Sequence, residues 1–279
     1  MKRCLLIFPS YVILGIATEI LNVLQKAEVV PPVLQGYNSA GFRIDEMKIK
    51  ESMRLPAFNY ATLSGEVLAA TVTQGLNWLV EDGVSVAMMV FCGHGINRNS
   101  GHSELICSYN QRISFDNIQD IVINSNFSGT LIQIINTCQA GSCISASNSG
   151  GPGGDVFSSP VLRRGQERTI TLFASTSHTT TFGDEKGSIL IDKLYYIINQ
   201  LGRSLTYEEI SSLFKMYRDK YVCRFCNPNF VSSKSCLCGE SCQMTPSMVG
   251  VFGMPAQLAP VSKNDRINYV EKHTWNWKM

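Results

Sequence analysis

The sequence carries little excess charge, only four histidines, and no apolar segment long enough to span a bilayer. Its net charge of +2 gives no electrostatic reason to expect nucleic acid or an anionic membrane as the main partner. No internal repeat is present, which excludes solenoids and propellers. The 22 glycines and 10 prolines among 279 residues are ordinary numbers, so collagen-like and low-complexity chains are excluded as well. With 44% hydrophobic residues, the sequence predicts a globular domain with a sizeable core.

The N-terminal segment resembles a signal peptide, because Met1-Lys2-Arg3 precedes an uncharged run over 4–18. A proline and a serine interrupt this run, no small-x-small cleavage site follows, and Glu19 ends it. We therefore expect a buried strand over 4–8 that leads into a helix, in a cytoplasmic protein with free thiols. A signal peptide is the alternative.

Four short apolar runs are typical of strands in a parallel sheet that is covered by helices. They lie at 4–8, 84–92, 130–135 and 169–174. Apolar residues spaced by three and four predict helices over 61–81, 114–123, 187–201 and 206–217. Strands that alternate with helices predict an α/β fold, with a mainly parallel central sheet.

A histidine and a cysteine follow two of these strands, each in a glycine-containing segment. The run over 84–92 ends in Phe91-Cys92-Gly93-His94-Gly95, and the run over 130–135 is followed by Asn136-Thr137-Cys138-Gln139-Ala140-Gly141. Ligands bind beyond the carboxyl ends of parallel strands, so the two side chains are expected at one edge of the sheet. A thiolate nucleophile and its general base need this proximity. The backbone N–H groups of Gly95 and Cys138 are candidates for an oxyanion hole.

Both segments resemble motifs of caspase-like and metacaspase-like cysteine peptidases. The first is similar to their F-S-G-H-G block, with Cys92 in place of serine, and the second to their D-x-C-x-S-G or Q-A-C-x-G nucleophile block. The 44 positions from His94 to Cys138 are close to the ~50 of caspases. The resemblance extends over roughly residues 1–255. It implies a caspase-like three-layer α/β/α sandwich and a cysteine endopeptidase that forms a thioester acyl-enzyme.

The resemblance also suggests residues of the substrate pocket, namely Asn136, Ser175 and Glu19. In metacaspases the residue two before the nucleophile is an aspartate that binds a basic P1 side chain. Here that residue is Asn136, whose amide carries no countercharge, and Glu19 aligns only loosely with a second acid of the family. A basic P1 residue is the preferred interpretation, and an aspartate-specific caspase-like protease is an alternative. A solvated helix glutamate is an equally good interpretation of Glu19.

The same resemblance divides the chain into a peptidase domain over 1–258 and a C-terminal tail over 259–279. Within the domain we expect a large-subunit-like part over 1–141 and a small-subunit-like part over 169–258. Between them, the Gly/Ser-rich segment over 142–168 is interpreted as a flexible linker and a possible site of self-processing.

Five of the ten cysteines lie between 223 and 242, in what we interpret as an insert of the small-subunit-like part. The candidate zinc ligands are Cys223, Cys226, Cys236, Cys238 and Cys242. Disulfides, or thiols without a metal, are the alternatives. The proposed chemistry itself needs no cofactor, and activation by Ca²⁺ is suggested by the resemblance alone.

The expected partners are peptide or protein substrates, with neither nucleic acid nor a membrane. A catalytically silent caspase-like scaffold is the competing interpretation, and the paired histidine and cysteine argue against it. A redox function has only Cys223-x-x-Cys226 in its favour, and that motif follows a predicted helix. The sequence leaves the physiological substrates, the activation trigger and the oligomeric state open.

Overall fold

The computed structural model describes ten segments of the chain. These are residues 1–10, 39–54, 56–97, 103–137, 140, 169–174, 183–184, 187–218, 247–250 and 256–260. All statements on the structure refer to these residues. The predicted linker over 142–168 and the cysteine-rich segment over 223–242 lie outside them.

The described strands and helices alternate along the chain. The strands are β1 (Lys2–Pro9), β2 (Asn59–Gly65), β3 (Val86–Cys92), β4 (His94–Asn97), β5 (Ser103–Ile106), β6 (Arg112–Ser114), β7 (Thr130–Asn136), β8 (Thr169–Phe173), β9 (Gly183–Asp184), β10 (Gly187–Ser188) and β11 (Ser247–Gly250). The helices are α1 (Ser39–Arg54), α2 (Ala69–Leu79), α3 (Phe115–Asn124), α4 (Ile189–Gln200) and α5 (Tyr207–Arg218). All four strands predicted from the apolar runs are present.

The central sheet contains six strands in the order β11-β8-β7-β3-β1-β2. Five of them, β8, β7, β3, β1 and β2, run parallel to one another, and β11 pairs with β8 in the antiparallel direction. The parallel strands β1, β3, β7 and β8 are almost entirely buried, as expected for strands with helices on both faces. Their carboxyl ends meet at one edge of the sheet.

Helices cover both faces of this sheet. Successive residues of a strand point to opposite faces, so each strand contributes to two separate core clusters. On one face, Cys4, Leu6 and Phe8 pack in a core cluster with residues of α1, α4 and α5. On the other face, Leu5 and Ile7 pack with residues of α2 and α3. The predicted three-layer α/β/α sandwich is therefore confirmed.

Polar contacts join α1 to α4 within their otherwise apolar interface. The pairs are Asp45 with the backbone N–H of Ser188, Lys48 with Asp192, and Glu51 with the hydroxyl of Tyr195. The N–H of Ala259 also donates to α1, at the carbonyl oxygen of Ser52. These contacts join segments that are far apart in the sequence.

Side-chain caps fix the starts of three of the described helices. The hydroxyl of Ser114 accepts the N–H of Asn117 at the start of α3, and that of Ser188 accepts the N–H of Ile191 at the start of α4. Thr206 and Glu209 form a reciprocal capping box at α5. The predicted helices over 114–123, 187–201 and 206–217 are thus confirmed to within two residues at each end.

The helix predicted over 61–81 is wrong in its first part. Residues 59–65 form the edge strand β2, and α2 starts at Ala69. Leu63 and Val67 have the spacing of a helical face, yet Leu63 pairs with Ile7 across the sheet. Strand pairing with β1 overrides the local periodicity, and Gly65 ends the strand with a φ of +82°. The helix α1 is an addition to the elements that the sequence predicted.

Candidate active site

The candidate site lies where β3 and β7 end side by side. Cys92, the last residue of β3, pairs in register with Asn136, the last residue of β7. The N–H of Gly93 donates to the carbonyl oxygen of Asn136 over 3.1 Å, so the chains remain joined just beyond the sheet. His94 follows Cys92 by two positions, and Cys138 follows Asn136 by two positions.

His94 opens a second sheet that the sequence did not predict. In this three-stranded antiparallel sheet, β5 pairs with both β4 and β6, and His94 lies opposite Ile106. Gly95, the predicted oxyanion-hole residue, lies opposite Leu105 in the same ladder. Leu105 is buried in the core between the main sheet and α2 and α3, which anchors the small sheet. The small sheet therefore holds His94 at the carboxyl edge of the main sheet.

The imidazole of His94 is partly buried, and burial lowers its pKa from 6.5 to about 4. The cause is desolvation, which disfavours the imidazolium relative to the neutral ring. At neutral pH this histidine is therefore uncharged and able to accept a proton. That is the protonation state which a general base needs.

Asn136, the last residue of β7, and Thr137, which follows it, are each 1% exposed. By strand alternation, Asn136 is on the same face of the sheet as Ile132 and Ile134, which pack in the cluster with α1, α4 and α5. Ala174, just after β8, donates its N–H to the carbonyl oxygen of Ile135. The ends of β7 and β8 are thus joined beside Asn136.

Several predicted site residues lie outside the described residues. They are Cys138, Ser175 and Glu19, together with Cys223, Cys226, Cys236, Cys238 and Cys242. Of the predicted set, the structure places His94, Gly95 and Asn136 at one edge of the sheet. The roles assigned to all of these residues remain predictions.

The described part of the chain contains three cysteines, Cys4, Cys92 and Cys107, and all three are buried. Burial raises the pKa of the Cys107 thiol to about 11 and that of Cys4 still further. Both thiols are therefore protonated at neutral pH and are poor nucleophiles. Among the described residues, no group of three or more His, Cys, Asp or Glu side chains is arranged to hold a metal ion.

Sequence inspection missed the turn that joins β5 to β6. Its residue Ser108 is buried and contacts the ends of β1 and β2. The only available signal for a turn here was Asn110, a residue type that is common in turns and tolerates a positive φ.

No described helix has both the length and the apolar character needed to cross a membrane. A family model described as "Caspase domain" matches residues 38–236, which is well over half of the chain and includes both His94 and Cys138. A comparison with curated proteins gave no significant match.

Proposed function

The chain belongs to the caspase-domain family, and we propose that it is a cysteine endopeptidase with Cys138 as nucleophile and His94 as general base. The observation that carries the proposal is the register pair Cys92–Asn136 at the ends of two adjacent parallel strands. His94 and Cys138 follow this pair by the same number of residues. The family is one of cysteine peptidases, which supports the assignment of the reaction class.

Covalent geometry supports the pairing of the two residues. Consecutive Cα atoms are about 3.8 Å apart, so the Cα of Cys138 lies no more than about 7–8 Å from that of Asn136. Neighbouring strands are separated by about 4.8 Å. Because the two strand ends are also joined by the hydrogen bond from Gly93 to Asn136, the thiol has only a short distance to cover to the imidazole.

The low pKa of His94 favours a neutral thiol–imidazole pair over a permanent ion pair in the free enzyme. In the first step, His94 accepts the thiol proton as the sulfur of Cys138 attacks the scissile carbonyl carbon. The N–H groups of Gly95 and Cys138 stabilise the resulting oxyanion. The carbon–nitrogen bond then breaks, and His94 gives its proton to the leaving amine.

The second step removes the acyl group. His94 accepts a proton from water as the water oxygen attacks the thioester carbonyl carbon. The carbon–sulfur bond breaks, the carboxylic acid leaves, and the proton returns to the sulfur of Cys138. Atoms and charges balance over the cycle, and no cofactor is consumed.

The proposed substrate is a peptide with arginine or lysine at P1, as in metacaspases. Its position two residues before the proposed nucleophile makes Asn136 a candidate for this pocket, and Ser175 and Glu19 are further candidates. Asn136 is almost fully buried, so its amide would meet only the end of a side chain that enters deeply. The alternative is a protease that cleaves peptides with aspartate at P1.

The test is cleavage of a peptide library that varies the P1 residue, with the unmodified chain and with Cys138→Ala and His94→Ala. We expect each variant, and the double variant, to lose activity to a similar extent, because the two side chains act as a unit. Cys4→Ala is the matched control, since it removes a thiol that is buried in β1 and protonated.

The acyl-enzyme is tested separately by trapping. A peptide with an electrophilic carbonyl end should label Cys138, as located by mass spectrometry of proteolytic fragments. Full turnover in Cys138→Ala would refute the assignment of the nucleophile. A folded chain that cleaves no library member and takes up no label would indicate the catalytically silent scaffold.

A further inference from the structure

Besides the packing of Leu105, hydrogen bonds among the described residues attach the small sheet that carries His94 to the main sheet at two separate places. One is the start of β4, where Gly93 donates its N–H to Asn136. The other is the turn between β5 and β6, formed by residues 107–111. The first attachment lies beside the proposed dyad, whereas the second lies over the ends of β1 and β2.

A buried hydroxyl lies at the centre of the second attachment. Ser108 is 3% exposed, and its hydroxyl donates to the carbonyl oxygen of Ser10 at 2.9 Å, with that of Gly65 at 3.2 Å as a second acceptor. The same oxygen accepts the N–H of Val67 at 2.9 Å. Since Ser10 follows β1 and Gly65 ends β2, one side chain joins two strand ends to the turn.

The backbone of Ser108 adds to this attachment. Its N–H donates to the carbonyl oxygen of Val67 at 2.8 Å, and the turn is closed by the N–H of Cys107, which donates to Gln111 at 2.8 Å. The side-chain oxygen of Gln111 in turn accepts the N–H of Ala69, the first residue of α2. The turn is therefore bonded to β1, β2 and α2 together.

The turn itself has an unfavourable backbone conformation. Tyr109 and Asn110 both have a positive φ, of 55° and 57°, in the left-handed region that favours glycine. Tight hairpin turns often contain two such residues, usually glycine, asparagine or aspartate, so the unusual one here is Tyr109, whose conformation needs surrounding contacts to hold it. The bonds of Ser108, directly before this pair, supply that restraint.

The path from Ser108 to the imidazole is short. Ser108 is two residues beyond Ile106, which lies opposite His94 in the β4–β5 ladder. A displacement of the turn moves β5, and β5 carries β4 with it through the ladder hydrogen bonds. The position of His94 is therefore coupled to the hydroxyl of Ser108 by main-chain contacts.

We propose that Ser108 is a positioning residue that holds His94 in its productive place by fixing the β5–β6 turn to the ends of β1 and β2. This inference rests on the proposed function of His94 as the general base. Ser108 lies within the turn, and it acts on His94 only through β5 and β4.

The test compares Ser108→Ala with Ser108→Thr, which keeps the hydroxyl, and with the matched control Ser125→Ala. Ser125 follows α3, and its hydroxyl likewise donates to a carbonyl oxygen and accepts an N–H. Activity is measured on folded protein as kcat and KM, and hydrogen exchange is measured for peptides that cover β4, β5 and β7.

We expect Ser108→Ala to lower kcat about 10- to 100-fold while KM changes little, because misplacement by about 1 Å has effects of this size. Exchange should accelerate in β4 and β5 and stay unchanged in β7. Ser108→Thr should recover most of kcat, and Ser125→Ala should match the unmodified chain. Unchanged kcat in folded Ser108→Ala, or a loss of equal size in Ser125→Ala, would overturn the proposal.

Hydrogen exchange separates this inference from the proposed function. If the unmodified chain has no peptidase activity, the proposed function fails, and accelerated exchange in β4 of Ser108→Ala still supports the coupling. If exchange in β4 is unchanged, the coupling fails whatever the activity of the unmodified chain.

Discussion

Cys92 and Asn136 lie opposite each other at the carboxyl ends of adjacent parallel strands. A hydrogen bond from Gly93 to the carbonyl oxygen of Asn136 continues their pairing beyond the sheet. This pair defines the starting points from which the chain continues to His94 on one side and to Cys138 on the other. It also places the side chain of Asn136, which is 1% exposed, under the proposed site.

Replacing Asn136 by aspartate should raise kcat/KM for arginyl substrates by about tenfold, because a charge-assisted hydrogen bond is about twice as strong as a neutral one. The same change should lower the free energy of unfolding of the substrate-free chain by about 1–3 kcal/mol, since it buries a carboxyl group. Peptide kinetics and urea unfolding measure the two effects. A folded variant with unchanged arginyl cleavage, or preferential cleavage after aspartate, would contradict the basic P1 pocket.

The pKa of His94 makes the stability of the fold dependent on pH. The pKa is about 4 in the folded chain, below its ordinary value of 6.5. Between these values the unfolded chain binds a proton that the folded chain does not, so the free energy of unfolding falls as the pH drops from 6.5 towards 4. The loss is at most about 3 kcal/mol, and it is absent above pH 6.5.

Urea unfolding between about pH 7 and pH 4 measures this effect, with His94→Gln as the comparison. Other titrating groups change both proteins alike, so the difference between them isolates His94. The acid limb of kcat/KM should also lie below 6.5 if the free enzyme holds a neutral imidazole. Identical pH dependence of the two proteins would show that the histidine is solvated.

Asp45 should contribute more to stability than any other polar residue of the α1–α4 interface. It is 0% exposed, and both of its carboxylate oxygens lie within 3.0 Å of the N–H of Ser188, the N-cap of α4. Asp45→Ala leaves this buried N–H without an acceptor and should lower the free energy of unfolding by about 2 kcal/mol. Asp192→Ala is the matched control, since its side chain is 35% exposed and its pair with Lys48 is worth about 1 kcal/mol or less. Equal losses in the two variants would contradict this ranking.

Self-processing is expected within the segment over 142–168. Its glycine- and serine-rich composition is typical of proteolytic sites, and it contains Arg163, Arg164 and Asp155. Mass spectrometry of the purified chain should show cleavage after one arginine for a basic P1 pocket, or after Asp155 for an acidic one. Cys138→Ala should remain intact. Full peptidase activity in an uncleaved chain would show that processing is unnecessary.

The cysteines between 223 and 242 are expected to bind about one zinc ion per chain, since four thiolates complete a tetrahedral site. The metal would order a segment with few apolar residues and would take no part in the chemistry. Metal analysis of protein purified without chelator gives the content. The double variant Cys223→Ser, Cys226→Ser should lose the metal, whereas Cys138→Ala should keep it. A zinc content near zero, with five titratable thiols or with disulfides, would exclude the site.

Local sequence features were sufficient for part of the fold. The strands β1, β3, β7 and β8 were predictable because each is a short run of apolar residues that are buried on both faces. The starts of α3, α4 and α5 were predictable because a capping side chain bonds an N–H within three residues. In the candidate site, glycine-flanked strand ends pointed to His94 in the same way.

Other features depend on contacts between residues that are distant in sequence. The strand β2 forms at 59–65 because the edge of β1 pairs with it, although the residues have helical spacing. Ser108 bonds Ser10 across 98 positions, and Asp45 bonds Ser188 across 143. The pKa of His94 likewise depends on the tertiary burial of its ring. Residue type and short-range spacing thus determined the central strands and the candidate histidine. Only the tertiary structure decided the edge strand, the attachment of the small sheet and the protonation state of His94. Each of them depends on pairing, hydrogen bonds or burial that form only when segments distant in the sequence come into contact.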